Sequence, residues 1–155
     1  MTEPRVLVLG YGNPGRRDDG LGTEAAEALG VPPMPGVDVR AALQLTIEDA
    51  ADAADYDLVV FIDAARSGPA PFAVHGVAAA GEVGFTSHLV SPELVLSLCE
   101  RVYGRAPRAS LVAIRGYAFG LGEGLSVRAC ANLSAALAYV RDQLRTPART
   151  FTKPS

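Results

Sequence analysis

The sequence predicts an α/β fold: a three-layer α/β/α sandwich on a largely parallel, mixed sheet of about five strands. Three observations carry that reading. Arg5–Leu9 and Leu58–Ile62 are nearly continuous apolar runs, as expected of parallel strands covered on both faces. Segments with helix start signals and apolar residues every three to four positions lie between and after them. Strand and helix signals alternate, and neither an internal repeat nor an interdomain linker breaks the alternation. At 155 residues, 49% of them apolar, the chain is one domain with ample core, expected over residues 1–145.

The elements follow in order. Arg5–Leu9 is the first strand and ends at Gly10. A Gly-rich turn leads to a helix over Gly20–Leu29, with Asp18 or Asp19 placed to cap it. Residues 31–36 are a Pro-rich loop, and Val37–Leu43 reads as the second strand. Thr46-Ile-Glu-Asp49 has the pattern of a capping box, opening a helix to about Asp55. Leu58–Ile62 is the strongest strand and is followed by Asp63. Pro69 and Pro71 bracket a turn before a short strand, Phe72–Val77. Ser91-Pro92-Glu93 starts a helix whose apolar face is Leu94, Val95, Leu98 and Val102, with Gly104 as its stop. Ser110–Ile114 is a further strand. Ser126 caps a last helix carrying Leu133, Leu137, Val140 and Leu144. Residues 146–155 are a polar tail, expected to be flexible.

Composition removes several function classes. With 14 basic against 17 acidic side chains the net charge is −3, which gives no electrostatic reason to expect nucleic acid or an anionic membrane as partner. No apolar run approaches the ~20 residues needed to span a bilayer, and Val6–Leu9 is too short for a signal-peptide core. Cys99 and Cys130 form no CxxC and stand in apolar contexts, so they read as buried free thiols of a cytoplasmic protein. Thirteen of the 14 basic residues are Arg and the one lysine is Lys153, which argues against Schiff-base or phosphate-loop lysine chemistry.

In an open α/β sheet, ligands gather beyond the carboxyl ends of the strands. Three such ends carry unusual residues: Gly10–Gly20 with Asp18 and Asp19, Asp63 after the third strand, and His88 in the loop before the Ser91 helix. Gly10-x-Gly12-x-x-Gly15 matches a dinucleotide fingerprint. However, Pro14 and Arg-Arg-Asp-Asp stand where a helix N-terminus should receive the pyrophosphate, and the acidic ribose ligand expected at the end of the second strand is missing, since Val37–Val39 is followed by Arg40. An acidic residue at a helix start is often only a cap, but two adjacent carboxylates exceed what capping needs. A carboxylate at the end of a buried strand must find solvent, hydrogen bonds or a cation. His75 reads as an ordinary surface or packing histidine. Two carboxylates and an imidazole from three loops form an O,O,N set suited to a borderline divalent metal with positions left open.

These residues resemble a known family. Gly10-x-Gly12-Asn13, then Asp18-Asp19-Gly20-x-Gly22, Phe61-Ile-Asp63-Ala64, Thr86-Ser-His88, Ile114-Arg-Gly116 and Gly124-Leu-Ser126 are together similar to the maturation endopeptidases of [NiFe]-hydrogenases, over about residues 5–145. The resemblance implies a twisted five-stranded sheet, a monomer, and removal of a C-terminal peptide from the nickel-loaded precursor of the hydrogenase large subunit. It places nickel contact and catalysis on Asp19, Asp63 and His88, with Asp18 as the alternate ligand because many family members carry glutamate at Asp19. Gly12 and Asn13 would shape the loop. Ni²⁺ would arrive with the substrate, and Cd²⁺ or Zn²⁺ could stand in for it. No HExxH helix and no nucleophile motif is present. Two schemes fit the resemblance: the nickel serves recognition, so that only loaded precursor is cut, or it polarises the scissile carbonyl or acidifies a water, and metal-assisted hydrolysis with substrate-supplied nickel is the preferred expectation.

Two other readings compete. A non-catalytic module on the same fold would check nickel or bind a dinucleotide without cutting. Gly12-Asn13-Pro14-Gly15 is also similar to the opening of bacterial peptidyl-tRNA hydrolases. Their catalytic Arg-His-Asn segment is replaced in this chain by Asp18-Asp19-Gly20, and the acidic balance does not suit tRNA.

Overall fold

A computed structural model describes residues 3–80 and 90–151. In chain order the elements are β1 (Val6–Tyr11), α1 (Leu21–Leu29), β2 (Val37–Ala42), α2 (Asp49–Ala53), β3 (Leu58–Ala65), β4 (Phe72–Gly76), α3 (Pro92–Tyr103), β5 (Arg108–Arg115) and α4 (Val127–Arg145). Among the described residues the sheet has five strands in the order β2-β1-β3-β5-β4. All pairs are parallel except β4–β5, which is antiparallel at one edge. The expected mixed α/β/α architecture is what the chain adopts.

The period of two along the strands divides the core. Val6, Val8, Val60, Ile62, Val112 and Ile114 point to the face covered by α1 and α4, where Leu21, Leu29, Ala136 and Val140 meet them. Leu7, Leu9, Val59 and Phe61 point the other way, onto Ala50 and Ala53 of α2 and Val95, Leu96 and Cys99 of α3. That is why the central strands read as unbroken apolar runs. No helix among the described residues is long and apolar enough to cross a membrane.

Several local expectations are corrected. Neither Asp18 nor Asp19 caps α1. A 3-10 turn over Arg17–Gly20 precedes the helix, and its N-cap Gly20 offers no side chain. The second helix is only Asp49–Ala53. Its carboxylate half of the capping box forms, with the Thr46 amide donating to Asp49 Oδ2 at 2.8 Å, but the Thr46 hydroxyl does not cap. On α3 the buried stripe is Val95, Leu96 and Cys99, while Val102 is 64% exposed, because the helix packs against α2 as well as the sheet. Its ends are as expected: Ser91 accepts from the Leu94 amide, and Gly104 closes the helix at φ +79°. Cys99 is buried but Cys130, in the first turn of α4, is exposed.

Beyond α4 the chain packs back on the body of the protein through Phe151. Arg149 is 4% exposed, and its guanidinium donates to the carbonyls of Leu144, Pro4, Gly36 and Pro35 and to Glu3 Oε2. Phe151 stacks edge-on against Tyr139, 5.9 Å between ring centroids. Residues 152–155 lie outside the described residues. Arg149 thus ties the segment after α4 to the strand starts at the amino end of the sheet. Hydrogen bonds to a buried charged donor contribute about 1.5–3 kcal/mol each when isolated, less when they share one donor. Arg149→Ala is expected to lower the urea unfolding free energy by about 2–4 kcal/mol, whereas exposed Arg108→Ala changes it by under about 0.5 kcal/mol.

Candidate functional site

The sheet order 2-1-3 reverses winding direction at β1, which opens a crevice beyond the carboxyl ends of β1 and β3. A cleft of about 880 Å³ lies there. Tyr11, Gly12, Asn13 and Asp19 line it from the loop after β1, Asp63 from β3, Leu43–Glu48 from the loop after β2, and Val90–Pro92 from the start of α3.

Local backbone constraints place the carboxylates. Gly12 has φ +142°, and a Cβ there would stand 2.0 Å from the Asp19 carbonyl oxygen, so only glycine lets the loop double back on itself. A Cβ on Gly22 would stand 2.3 Å from the Tyr11 carbonyl oxygen and 2.4 Å from that of Ile62. The missing side chain lets α1 sit directly on the ends of β1 and β3. Asn13 Oδ1 accepts from the Gly15 amide at 2.9 Å and closes the turn, while the Asn13 amide donates to Asp19 Oδ2 at 2.9 Å. The amide that a dinucleotide phosphate would seek is therefore already held by a carboxylate.

Asp18 and Asp19 face different surroundings. Asp18 is fully buried and accepts from the amides of Tyr117, Ala118 and Ser126 and from the Ser126 hydroxyl, all at 2.7–2.9 Å. Burial raises its pKa, but these four donors outweigh it and hold the carboxyl below its ordinary value. Ser126 passes the constraint on, since its Oγ also accepts from the Ala129 amide and caps α4. Asp18 is absent from the cleft lining, and its lone pairs are engaged. Asp19 is half-buried and lines the cleft.

Asp63 is inside β3 rather than after it. Pairing with β1 stops at Gly10–Ile62, whereas pairing with β5 runs on to Ala65–Arg115. Asp63 therefore stands where the sheet has lost β1 as a neighbour, and its side chain enters the gap. Its Oδ1 accepts from the Ala64 amide at 2.7 Å, and it accepts from the Tyr11 hydroxyl. Burial pushes its pKa up to about 6, and the charge of Asp19 adds to the rise against the pull of these two donors. The Tyr11 phenol is pushed well above its ordinary value by burial first, then by the charges of Asp63 and Glu93, so it remains a neutral donor. Tyr11 escaped the sequence reading. Its signal was an aromatic residue between two glycines at a strand end.

His88 lies outside the described residues. His75 is exposed on β4 and does not line the cleft. Among the described residues no three His, Cys, Asp or Glu side chains gather as a metal-binding group. Asp19 and Asp63 supply two oxygen donors whose mutual repulsion a divalent cation would relieve, so the donor set fits one.

No protein-family model and no curated protein matches this chain. Solved structures do. A [NiFe] hydrogenase maturation protease, HycI from Thermococcus kodakarensis, is similar at 24% identity, with 93% of this chain and 94% of that chain covered and a TM-score of 0.72. The hydrogenase maturating endopeptidase HybD from Escherichia coli is 27% identical over 91% of this chain and 92% of its own, with a TM-score of 0.71. An endopeptidase from Escherichia coli, solved in solution, is 28% identical over 91% and 92%, with a TM-score of 0.68. The family resemblance carried by the motifs is thus matched by structures that follow the chain over nearly its whole length.

Asp18 and Asp63 have opposite pH signatures. The depressed pKa of Asp18 contributes stability above the ordinary aspartate value near ~4, lost as pH falls through its folded value. Asp18→Ala leaves three amides unpaired and is expected to cost about 3–5 kcal/mol at pH 7, with the deficit shrinking toward pH 3 in urea titrations. Asp63 has the reverse sign. Its raised pKa makes the folded state hold the proton more tightly, so each pH step from about 4 to 6 weakens the fold, and the full penalty is present above 6. Asp63→Asn is expected to stabilise the protein by about 1–3 kcal/mol at pH 7.5 and to make no difference at pH 3.5.

Proposed function

We propose that this chain is an endopeptidase that removes a C-terminal peptide from the nickel-loaded precursor of a [NiFe] hydrogenase large subunit. One observation carries the reading. Asp19 and Asp63, from two different strand ends, share one cleft at the winding reversal of a fold like that of hydrogenase maturation proteases. Asp18 fixes the loop and Asp19 faces the substrate. Asp63 is its partner, and His88 is the third group that the resemblance assigns to nickel.

The nickel belongs to the substrate. Burial is the main cause of the elevated pKa of Asp63, and repulsion from Asp19 in the same partly dehydrated cleft adds to it. A precursor presenting a divalent cation relieves the repulsion, whereas a precursor without one leaves it in place. Discrimination between loaded and empty precursor follows from charge alone. A divalent metal in such a set also supplies positive charge to polarise a carbonyl or acidify a water. The protein's own contribution is positional. The Asn13 amide holds Asp19, the Ala64 amide and the Tyr11 hydroxyl hold Asp63, and the loop Leu43–Glu48 walls the cleft on the far side. With a pKa of about 6, Asp63 exchanges a proton close to neutrality.

Incubation with nickel-loaded and nickel-free precursor tests the proposal by mass spectrometry of the released peptide. The wild type is expected to release the peptide from the loaded form. Asp19→Ala and Asp63→Ala are each expected to slow release by at least about 100-fold. Full processing by either variant overturns the roles assigned to the two carboxylates. Wild-type association with the precursor without peptide release marks the chain as a nickel-checking binder instead.

A further inference from the structure

The chain is acidic overall, yet one part of its surface is strongly basic. Five arginines crowd the carboxyl end of the sheet: Arg16 and Arg17 in the loop after β1, Arg66 after β3, Arg115 at the end of β5 and Arg128 in the first turn of α4. They are neighbours in space through the loop joining β5 to α4. The Arg66 guanidinium lies 4.2 Å from the Phe119 ring centroid. Those of Arg128 and Arg115 lie 4.0 and 5.1 Å from the Tyr117 centroid. Arg16 bridges to Gly122 of that loop, and the Arg17 amide donates to the Gly122 carbonyl. Among the described residues none of the five has a carboxylate within ion-pair distance. Residues 115–128 carry a single acid, Glu123.

Two further features separate this rim from an ordinary solvated surface. Three of the five guanidiniums, those of Arg66, Arg115 and Arg128, are held on aromatic faces, and the Tyr117 hydroxyl is fixed by the Asn132 amide at 3.1 Å, so less side-chain freedom remains to be lost on binding. Between them stand Leu121 and Val127, 82% and 87% exposed. Arginine and aromatic side chains around exposed aliphatic ones are the composition of protein–protein interface cores. A polyanionic nucleic acid has no use for Leu121 and Val127. Arg16 also lines the cleft, so the rim is continuous with it.

We propose that this arginine–aromatic rim docks an acidic surface of the substrate polypeptide, whose tail then enters the adjoining cleft. The inference deepens the peptidase reading and rests on it for the identity of the partner. Charge complementarity of this kind acts mainly on the rate of encounter and its salt dependence. Most of the guanidinium charge faces the partner rather than a carboxylate of the chain's own.

The test measures association with nickel-loaded large-subunit precursor at low and high ionic strength, separately from peptide release. The variants are Arg66→Glu/Arg128→Glu and, as an equal charge change at the opposite end of the sheet, Arg108→Glu/Arg145→Glu. The rim variant is expected to associate at least about 10-fold more slowly at low salt, with a flattened salt dependence, and the control within about twofold of wild type. Arg66→Gln/Arg128→Gln, which guards against misfolding by charge reversal, is expected to show a smaller loss in the same direction. Rim variants that associate like wild type overturn the inference, as does tighter wild-type binding to a ribo-oligonucleotide than to the precursor. Wild-type association without cleavage defeats the peptidase reading while the rim is still judged by the same rates.

Discussion

The site depends on one buried carboxylate that takes no part in the proposed chemistry. Asp18 gathers three backbone amides and a hydroxyl from the loop after β5, which lies 99–108 residues further along the chain. A charge without water requires such a set of donors, and the donors, once dehydrated, require the charge. The two loops therefore order each other. Once Asp18 is fixed inward, the next residue faces outward, and Asp19 is held over the cleft by the Asn13 amide. Adjacent aspartates serve two ends: one locks the carboxyl rim together, and the other is offered to a ligand.

Asp63 shows the opposite use of burial. Its donors are fewer, and its neighbour is another acid, so the fold keeps a carboxylate whose ionised form is disfavoured. The surrounding structure tolerates this because β3 is anchored on both faces by residues such as Val59, Val60 and Phe61, all fully buried. Strain of this kind at a cleft, offset by a dense core beneath it, is a common division between function and stability. The same rim carries two electrostatic characters side by side. Acids lie in the cleft and arginines beside it, a pattern suited to a partner with a cation at its centre and acidic residues around it.

Much of this was legible from residue order. β1 and β3 announce themselves because both faces are covered, and α3 and α4 because Ser91, Gly104 and Ser126 mark their limits. The candidate carboxylates were legible because Asp63 ends an apolar run and the Asp18–Asp19 pair exceeds a cap's needs. What escaped depends on contacts between distant parts. Whether Asp18 or Asp19 faces the cleft is decided by a loop near residue 117, which no local pattern near residue 18 encodes. The α3 stripe was shifted because α2 takes up part of its surface. Arg149 looked like a tail residue because all but one of its partners are backbone carbonyls, which leave no trace in residue type, and the exception, Glu3, is 146 positions away.

The contact of Arg149 with Pro4 reaches across 145 positions, from near the first strand to beyond the last helix. During synthesis β1 can meet β2 and β3 well before α4 exists, but at the lower end of the sheet the Pro4 and Pro35 carbonyls lack their buried donor until residue 149 has cleared the ribosome. Long-range closure of this kind delays the final step of folding to the end of translation. A chain stopped short of residue 149 would thus carry a sheet whose base is unsealed at Pro4 and Pro35.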